Sequence, residues 1–250
     1  MKPYEPVVVS ILEESRPATI LDAPSGSGWL GPRLQFDMQW DCVDLFAARP
    51  ASCRTFRRAD LDCGIPDDLG TYDAIVCCEG IEHLGNPDGY FKSVRRHLAP
   101  GGRLIVTTPN VWHPAARMQY LFQGFFPGFP LLAGVIERGA HRHVIPWSYP
   151  QLFLFLRLNG FENIVLHDAG ERSPKRFYER LLGIPQQLYC RSRARRSGTA
   201  EERDFWVCAA SPPALYGRRL VLSADVPCET GGTGRTGSMT PRDARAPHRS

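Results

Sequence analysis

Thr19-Ile20-Leu21-Asp22-Ala23-Pro24-Ser25-Gly26-Ser27-Gly28-Trp29-Leu30-Gly31 is the stretch that decides the fold. A short apolar run ends in a carboxylate and passes into a glycine turn, and the spacing predicts a short helix from near Trp29. Such a turn lets the backbone approach a ligand closely, and a helix amino terminus presents unpaired N–H groups. A nucleotide-like cofactor is the natural occupant. Gly26-Ser27-Gly28-Trp29-Leu30-Gly31 also fits the G-x-G-x-x-G pattern of dinucleotide sites, so a NAD(P)-dependent oxidoreductase stays open at this point. Two features weigh against it. Asp22 sets a negative charge where a pyrophosphate would lie, which suits a cationic ligand instead. Asp44 follows Gly31 by 13 residues, short of the roughly 20 of a dinucleotide site. It still lies where a carboxylate accepts from both ribose hydroxyls, bonds of about 1.5–3 kcal/mol each.

Working outward, strand-like runs alternate with helix-like segments, the pattern of an α/β, Rossmann-like three-layer sandwich with a mostly parallel sheet. The strand candidates are 19–21, 42–43, 74–77, 104–107, 164–166 and 205–208, with Thr55 to Asp60 as a seventh. Helices are expected at Tyr4 to Glu14, Pro87 to Leu98, Ser148 to Leu158 and Pro174 to Leu182. Asn86 stands in the N-cap place before Pro87, and Pro100-Gly101-Gly102 stops that helix.

Further motifs follow in order. Ala59-Asp60-Leu61-Asp62 precedes Gly64-Ile65-Pro66, and Tyr72-Asp73-Ala74-Ile75-Val76-Cys77-Cys78 runs into Glu79-Gly80-Ile81-Glu82-His83-Leu84. Leu98-Ala99-Pro100-Gly101-Gly102-Arg103-Leu104-Ile105-Val106 leads to Thr108-Pro109-Asn110, and Gly160-Phe161 links a helix to a strand. Over residues 19 to 110 the chain resembles the class I S-adenosylmethionine-dependent methyltransferases of the small-molecule type. The resemblance implies a seven-stranded sheet and S-adenosyl-L-methionine as cofactor. It places Asp22, Ala23, Pro24, Ser25, Gly26 and Gly28 against the methionine part, Asp44 on the ribose, Asp60 and Leu61 at the adenine, and Glu79 beside the cofactor. The family commonly has glycine where this chain has Pro24, so the turn must differ there.

Methyl transfer from a sulfonium is an in-line displacement in which orientation supplies much of the acceleration. A hydroxyl acceptor gains from a base titrating near working pH, which directs attention to histidine. His83, in the Glu-His turn, and His143, which with His141 flanks Arg142 ahead of the Ser148 helix, are the catalytic candidates; loop residues without a catalytic task are the other reading of His113 and His143. An insertion at about 111–146 is strongly apolar. Met118 to Ile136 holds no formal charge, and Gly124, Pro127, Gly128, Pro130 and Gly134 interrupt any continuous helix. It reads as an apolar lid, or alternatively as a pocket for a lipid-linked acceptor or a peripheral membrane contact through 118–136.

The chain has 250 residues, 43% hydrophobic and 22% charged, with net charge +4. That suits one domain, expected over 1–222. From Ser223 to Ser250 the Gly, Thr, Ser, Pro and Arg content predicts a disordered tail, dispensable after Leu222. All basic residues but Lys2, Lys92 and Lys175 are arginine, a coding bias and not a nucleic-acid signature. Residues 171–203 concentrate positive charge, read as a solvated face or as one for an anionic acceptor or membrane. Eight cysteines lack C-x-x-C or zinc-finger spacing, so no metal is expected, and they read as reduced thiols of a cytoplasmic protein. The expected activity is methylation, at oxygen, of a small molecule or a glycan or lipid precursor. A catalytically silent cofactor-binding scaffold is the other alternative, and no nucleic-acid partner is expected.

Overall fold

The parallel sheet expected from the alternating runs is present. A computed structural model describes residues 1–129, 143–171, 174 and 176–228. Its strands are β1 (Thr19–Asp22), β2 (Gln39–Asp44), β3 (Thr55–Arg58), β4 (Tyr72–Cys78), β5 (Leu98–Pro109), β6 (Glu162–His167) and β7 (Arg219–Asp225). They form one sheet in the order β3-β2-β1-β4-β5-β7-β6, parallel except where β7 lies antiparallel between β5 and β6. The helices are α1 (Glu5–Ser15), α2 (Pro87–His97), α3 (Pro114–Gln123), α4 (Tyr149–Leu158), α5 (Phe177–Arg196), α6 (Ala200–Ala209) and α7 (Pro212–Tyr216).

Both faces of the sheet are covered, which is why its strands read as unbroken apolar runs. Side chains alternate between two cores. Leu21, Ile75, Cys77, Leu104, Val106, Leu220 and Leu222 pack on one face with Tyr90, Phe91 and Val94 of α2 and Leu152 and Leu156 of α4. Ile20, Ala74, Val76, Ile105 and Val221 pack on the other with Val8, Ile11 and Leu12 of α1. Asn86 caps α2 by accepting from Gly89 N at 3.1 Å, and Ser148 forms a capping box with Gln151 at the start of α4.

Four expectations need correction. Phe205 to Cys208 is not a strand but part of α6. A four-residue apolar run carries no period, while Thr199 caps the helix by accepting from Glu202 N, and Phe205 packs on Tyr149 and Phe153. The seventh strand is β7, so Ser223 to Asp225 belong to the sheet rather than to a tail, and Val226 is buried. The helix foreseen near Trp29 is only a 3-10 turn over Gly31–Arg33. The helix foreseen at 174–182 begins at Phe177 and runs on to Arg196, with Pro185 inside it. In the insertion, Met118 to Gln123 lie in α3, whose Tyr120, Leu121 and Phe122 are exposed, with Tyr120 stacked on Phe126. Residues 130–142, and with them His141, and residues 229–250 lie outside those described. Among the described residues no helix is long and apolar enough to cross a membrane.

A chain ending after Leu222 would lose the end of β7, including the Asp225 carboxylate that accepts from Arg103 Nε at 2.7 Å and the Leu104–Ala224 pairing. Its thermal melting should show a loss of about 2 kcal/mol or more, whereas a chain ending after Cys228 should melt as the full chain does.

Candidate active site

Strand order reverses at β1, whose neighbours β2 and β4 lead to opposite halves of the sheet, and such a point opens a crevice at the carboxyl ends of the strands. The loop from Ala23 to Gly28 fills its floor. It is pinned from both sides: Ala23 N donates to Val76 O at 2.9 Å, Ser25 N to Val43 O at 3.0 Å, and Tyr90 Oη to Ala23 O at 2.6 Å. The Ala23–Pro24 bond is cis. Gly80 lies against that ring; a Cβ there would stand 2.3 Å from Pro24 Cδ, so the β4 turn and the loop fit only with glycine.

Asp22, at the end of β1, is 2% exposed. Burial, reinforced by the nearby Asp44 carboxylate, pushes its carboxyl well above the usual range. Its Oδ2 and Ser25 Oγ are buried without a hydrogen-bond partner among the described residues. A cation placed against Asp22 would supply what that oxygen lacks and favour the ionised form, so these residues fit the positively charged methionine end of S-adenosylmethionine. Asp44, expected at the ribose, accepts three backbone N–H groups. Its Oδ2 accepts from Gly26 N, and its Oδ1 from Phe46 N and Ala47 N, each at 2.8 Å. The carboxylate therefore holds the glycine loop to the turn after β2. Asp60 is exposed and caps the 3-10 turn Leu61–Cys63 by accepting from Asp62 N at 3.0 Å, while Leu61 is buried in the core.

Glu79 stands at the end of β4 with φ of +48°. Lys2 donates to its carboxylate at 2.5 Å and Arg219 at 2.7 Å, and despite burial these cations hold its carboxyl below the usual range. Arg219 also pairs with Glu171 at 2.8 Å, so Glu79 ties the amino terminus, β4 and the start of β7 together. Nothing in the sequence announced those partners.

The two candidate histidines, sixty positions apart, meet. The His83 and His143 rings are 5.2 Å apart, edge to face. The segment bearing His143 is drawn in because Val144 N and Ile145 N both donate to Glu82 O, at 2.7 and 3.1 Å, and Trp147 Nε1 donates to Ile81 O at 3.2 Å. His143 N donates to Gly128 O, and a Cβ on Gly128 would stand 2.1 Å from His143 Nδ1. Burial, then the neighbouring His83, hold His143 below the usual imidazole range, which keeps it neutral and able to take a proton.

Glu82 completes the group. It is 2% exposed, its Oε2 accepts from Thr108 Oγ1 at 3.0 Å, and its Oε1 lies 3.9 Å from His83 Nε2. Burial pushes its carboxyl up to about 7. Sequence reading passed it over, although it directly precedes His83. Glu82, His83 and His143 each offer a ligand atom, all within 4.8 Å of one another, a spacing that a cation could bridge. Cysteine spacing could not reveal such a group. His113, by contrast, caps α3 by accepting from Ala116 N and contacts Arg218.

The Glu82 carboxyl makes stability depend on pH. Its folded value lies above its unfolded one, so its contribution is intact in acid and is lost as pH rises through about 7. Relative to Glu82→Gln, the wild type should lose on the order of 3 kcal/mol between about pH 4.5 and 7 and change little beyond. Urea melts of both proteins across that range check it, and a pH-independent difference would refute it.

A family model described as a methyltransferase domain matches residues 6–166. The chain is 25% identical over 176 residues to the ubiquinone biosynthesis O-methyltransferase of Xanthomonas axonopodis pv. citri (strain 306), covering 65% of this chain and 70% of that protein. Against the protein of the same name from Xanthomonas oryzae pv. oryzae (strain PXO99A) it is 27% identical over 137 residues, 50% of this chain and 55% of the other. Among solved structures, human N-acetylserotonin methyltransferase in complex with SAM superposes with a TM-score of 0.53 at 9% identity, covering 90% of this chain and 52% of that one. The (4+2)-cyclase SpnF gives 0.51 at 18% identity, covering 89% and 80%. These structural likenesses bear on the fold alone.

Proposed function

This chain belongs to the class I S-adenosylmethionine-dependent methyltransferases, and we propose that it methylates a hydroxyl group of a small apolar acceptor, with the His83–His143 pair taking the proton. Membership sets aside the NAD(P)-dependent alternative. The observation that carries the proposal is the meeting of the two histidines beside a buried carboxylate at the carboxyl end of β4.

S-adenosylmethionine supplies a methyl group on a positively charged sulfur. Asp22, Ser25 and the loop from Ala23 to Gly28 would hold its methionine end. Glu79 stands at the same strand end. Neutral His143 is suited to accept the acceptor's proton as the oxygen attacks, with the His83 ring packed edge to face against it and the Glu82 carboxyl behind His83. Removing that proton in step with attack avoids a free alkoxide or phenoxide, and the in-line geometry does the rest.

The acceptor we propose is apolar. A pocket of about 400 Å³ between α3 and α5 is lined by Pro114, Arg117, Met118, Tyr120, Leu121 and Leu182. The curated relatives are named for O-methylation in ubiquinone biosynthesis, which agrees with a greasy, hydroxylated acceptor. Lipid or glycan precursors remain within the class.

Replacing His143 or His83 by Ala should lower kcat by about 10²–10⁴-fold while leaving S-adenosylmethionine affinity by calorimetry within a few-fold. In the wild type, kcat/KM should rise with pH to a plateau whose apparent pKa lies below the ordinary histidine value of about 6.5. Full turnover by both variants would remove the pair from the mechanism. Cofactor binding without methyl transfer to any hydroxylated apolar compound would leave the scaffold reading instead. The three-ligand group favours one second reading, in which a divalent cation on Glu82, His83 and His143 lowers the acceptor's pKa. Activity lost to a chelator and restored by the ion would assign proton removal to the metal.

A further inference from the structure

Helix α5 belongs to an excursion, residues 168–218, between two antiparallel neighbours that a short turn could have joined. Its inner face is buried through Glu179, Gly183 and Cys190, and Gly183 lies so near Tyr216 that a Cβ there would stand 2.3 Å from the phenolic oxygen. The outer face of such a helix is ordinarily polar. Here Phe177, Leu181, Ile184 and Leu188, at i, i+4, i+7 and i+11, form a stripe that is 77%, 55%, 46% and 59% exposed.

Charge on that side has one sign. Arg180, Arg191 and Arg195 are exposed and fall within about 70° of the stripe's centre at 3.6 residues per turn. The helix's one acid, Glu179, points inward and pairs with Arg218 at 2.5 Å. Arg193, on the other side, is committed to Glu202 and the Trp206 ring. The neighbouring α3, whose Arg117 Nη2 donates to Leu182 O at 3.0 Å, also exposes Leu121 and Phe122.

We infer that the outer face of α5, with the edge of α3, docks on an anionic lipid surface. The stripe enters the boundary between headgroups and acyl chains, and Arg180, Arg191 and Arg195 engage lipid phosphates. Arginines alone would serve a nucleic acid equally well, but four large apolar side chains in line with them have no task on a phosphate backbone. This places the membrane contact mainly on α5 rather than on the 118–136 segment. The apolar pocket lies between the same two helices.

The test needs neither cofactor nor acceptor, so its outcome is separate from that of the proposed methyl transfer. The full chain is sedimented with vesicles of phosphatidylcholine alone and with added phosphatidylglycerol. Binding is expected to the anionic vesicles, weaker in high salt. It should fall by about tenfold for Phe177→Ser plus Leu181→Ser, and likewise for Arg191→Gln plus Arg195→Gln. These side chains are exposed, so unchanged thermal melting confirms that each variant is folded. No binding to anionic vesicles, or equal binding by the serine variant, overturns the inference. A dimer in sedimentation equilibrium that the serine changes dissociate, without effect on vesicles, would assign the stripe to a second copy of the chain. RNA binding lost with the arginines, in the absence of vesicle binding, would assign the face to nucleic acid.

Discussion

A parallel sheet buried on both faces has to put its polar work at the strand ends, and here that work concentrates where β1 parts from β2 on one side and β4 on the other. The glycine loop is hung from this crevice. The loop after β1 is held by backbone bonds to Val43 and Val76, one from each neighbouring strand, so its position follows from the sheet register. Asp44 adds a third restraint by receiving Gly26 N. Because the loop is fixed by the sheet, it needs no helix behind it, and a 3-10 turn suffices.

The second dependence is on Glu82. A carboxyl that is 2% exposed is costly, and the structure offsets the cost with Thr108 Oγ1 and by leaving the proton on until about neutral pH. Its backbone carbonyl meanwhile receives two N–H groups from Val144 and Ile145, which seats His143 beside His83. One residue thus joins the strand-end turn to the region after the insertion. The histidine pair would come apart if either the carbonyl contacts or the ring packing were lost.

Sequence and structure agree where a local signal has a local cause. β1, β4 and the body of β5 are apolar because both faces are buried, and Asn86 and Ser148 cap α2 and α4 as their types require. Agreement fails where the cause is distant. Phe205 to Cys208 has the composition of a strand, yet Tyr149 and Phe153 select a helix there. β7 follows an arginine pair and ends in Ser223-Ala224-Asp225, a composition that hides a strand whose neighbours are β5 and β6. His83 and His143 were each visible as candidates, but their contact was not, since no sixty-residue spacing encodes it. Glu79 was placed at the cofactor by motif, while its pairing with Lys2 and Arg219 depends on both ends of the domain meeting over β4.

That meeting also explains how the excursion between β6 and β7 can be both peripheral and firmly held. Arg218 joins Glu179 of α5, and Arg219 joins Glu171 and Glu79, so adjacent arginines at the entrance to β7 anchor the excursion to the crevice. Glu179 is fully buried, and an unpaired charge there would be far more costly than any surface pair is favourable. The inner face of α5 is therefore specified by charge pairing and by the close approach of Gly183 to Tyr216. Among the described residues its outer face has no intramolecular partner. An apolar stripe persisting on a helix already anchored from behind is not needed for folding, and its cost in water makes sense only if another surface covers it.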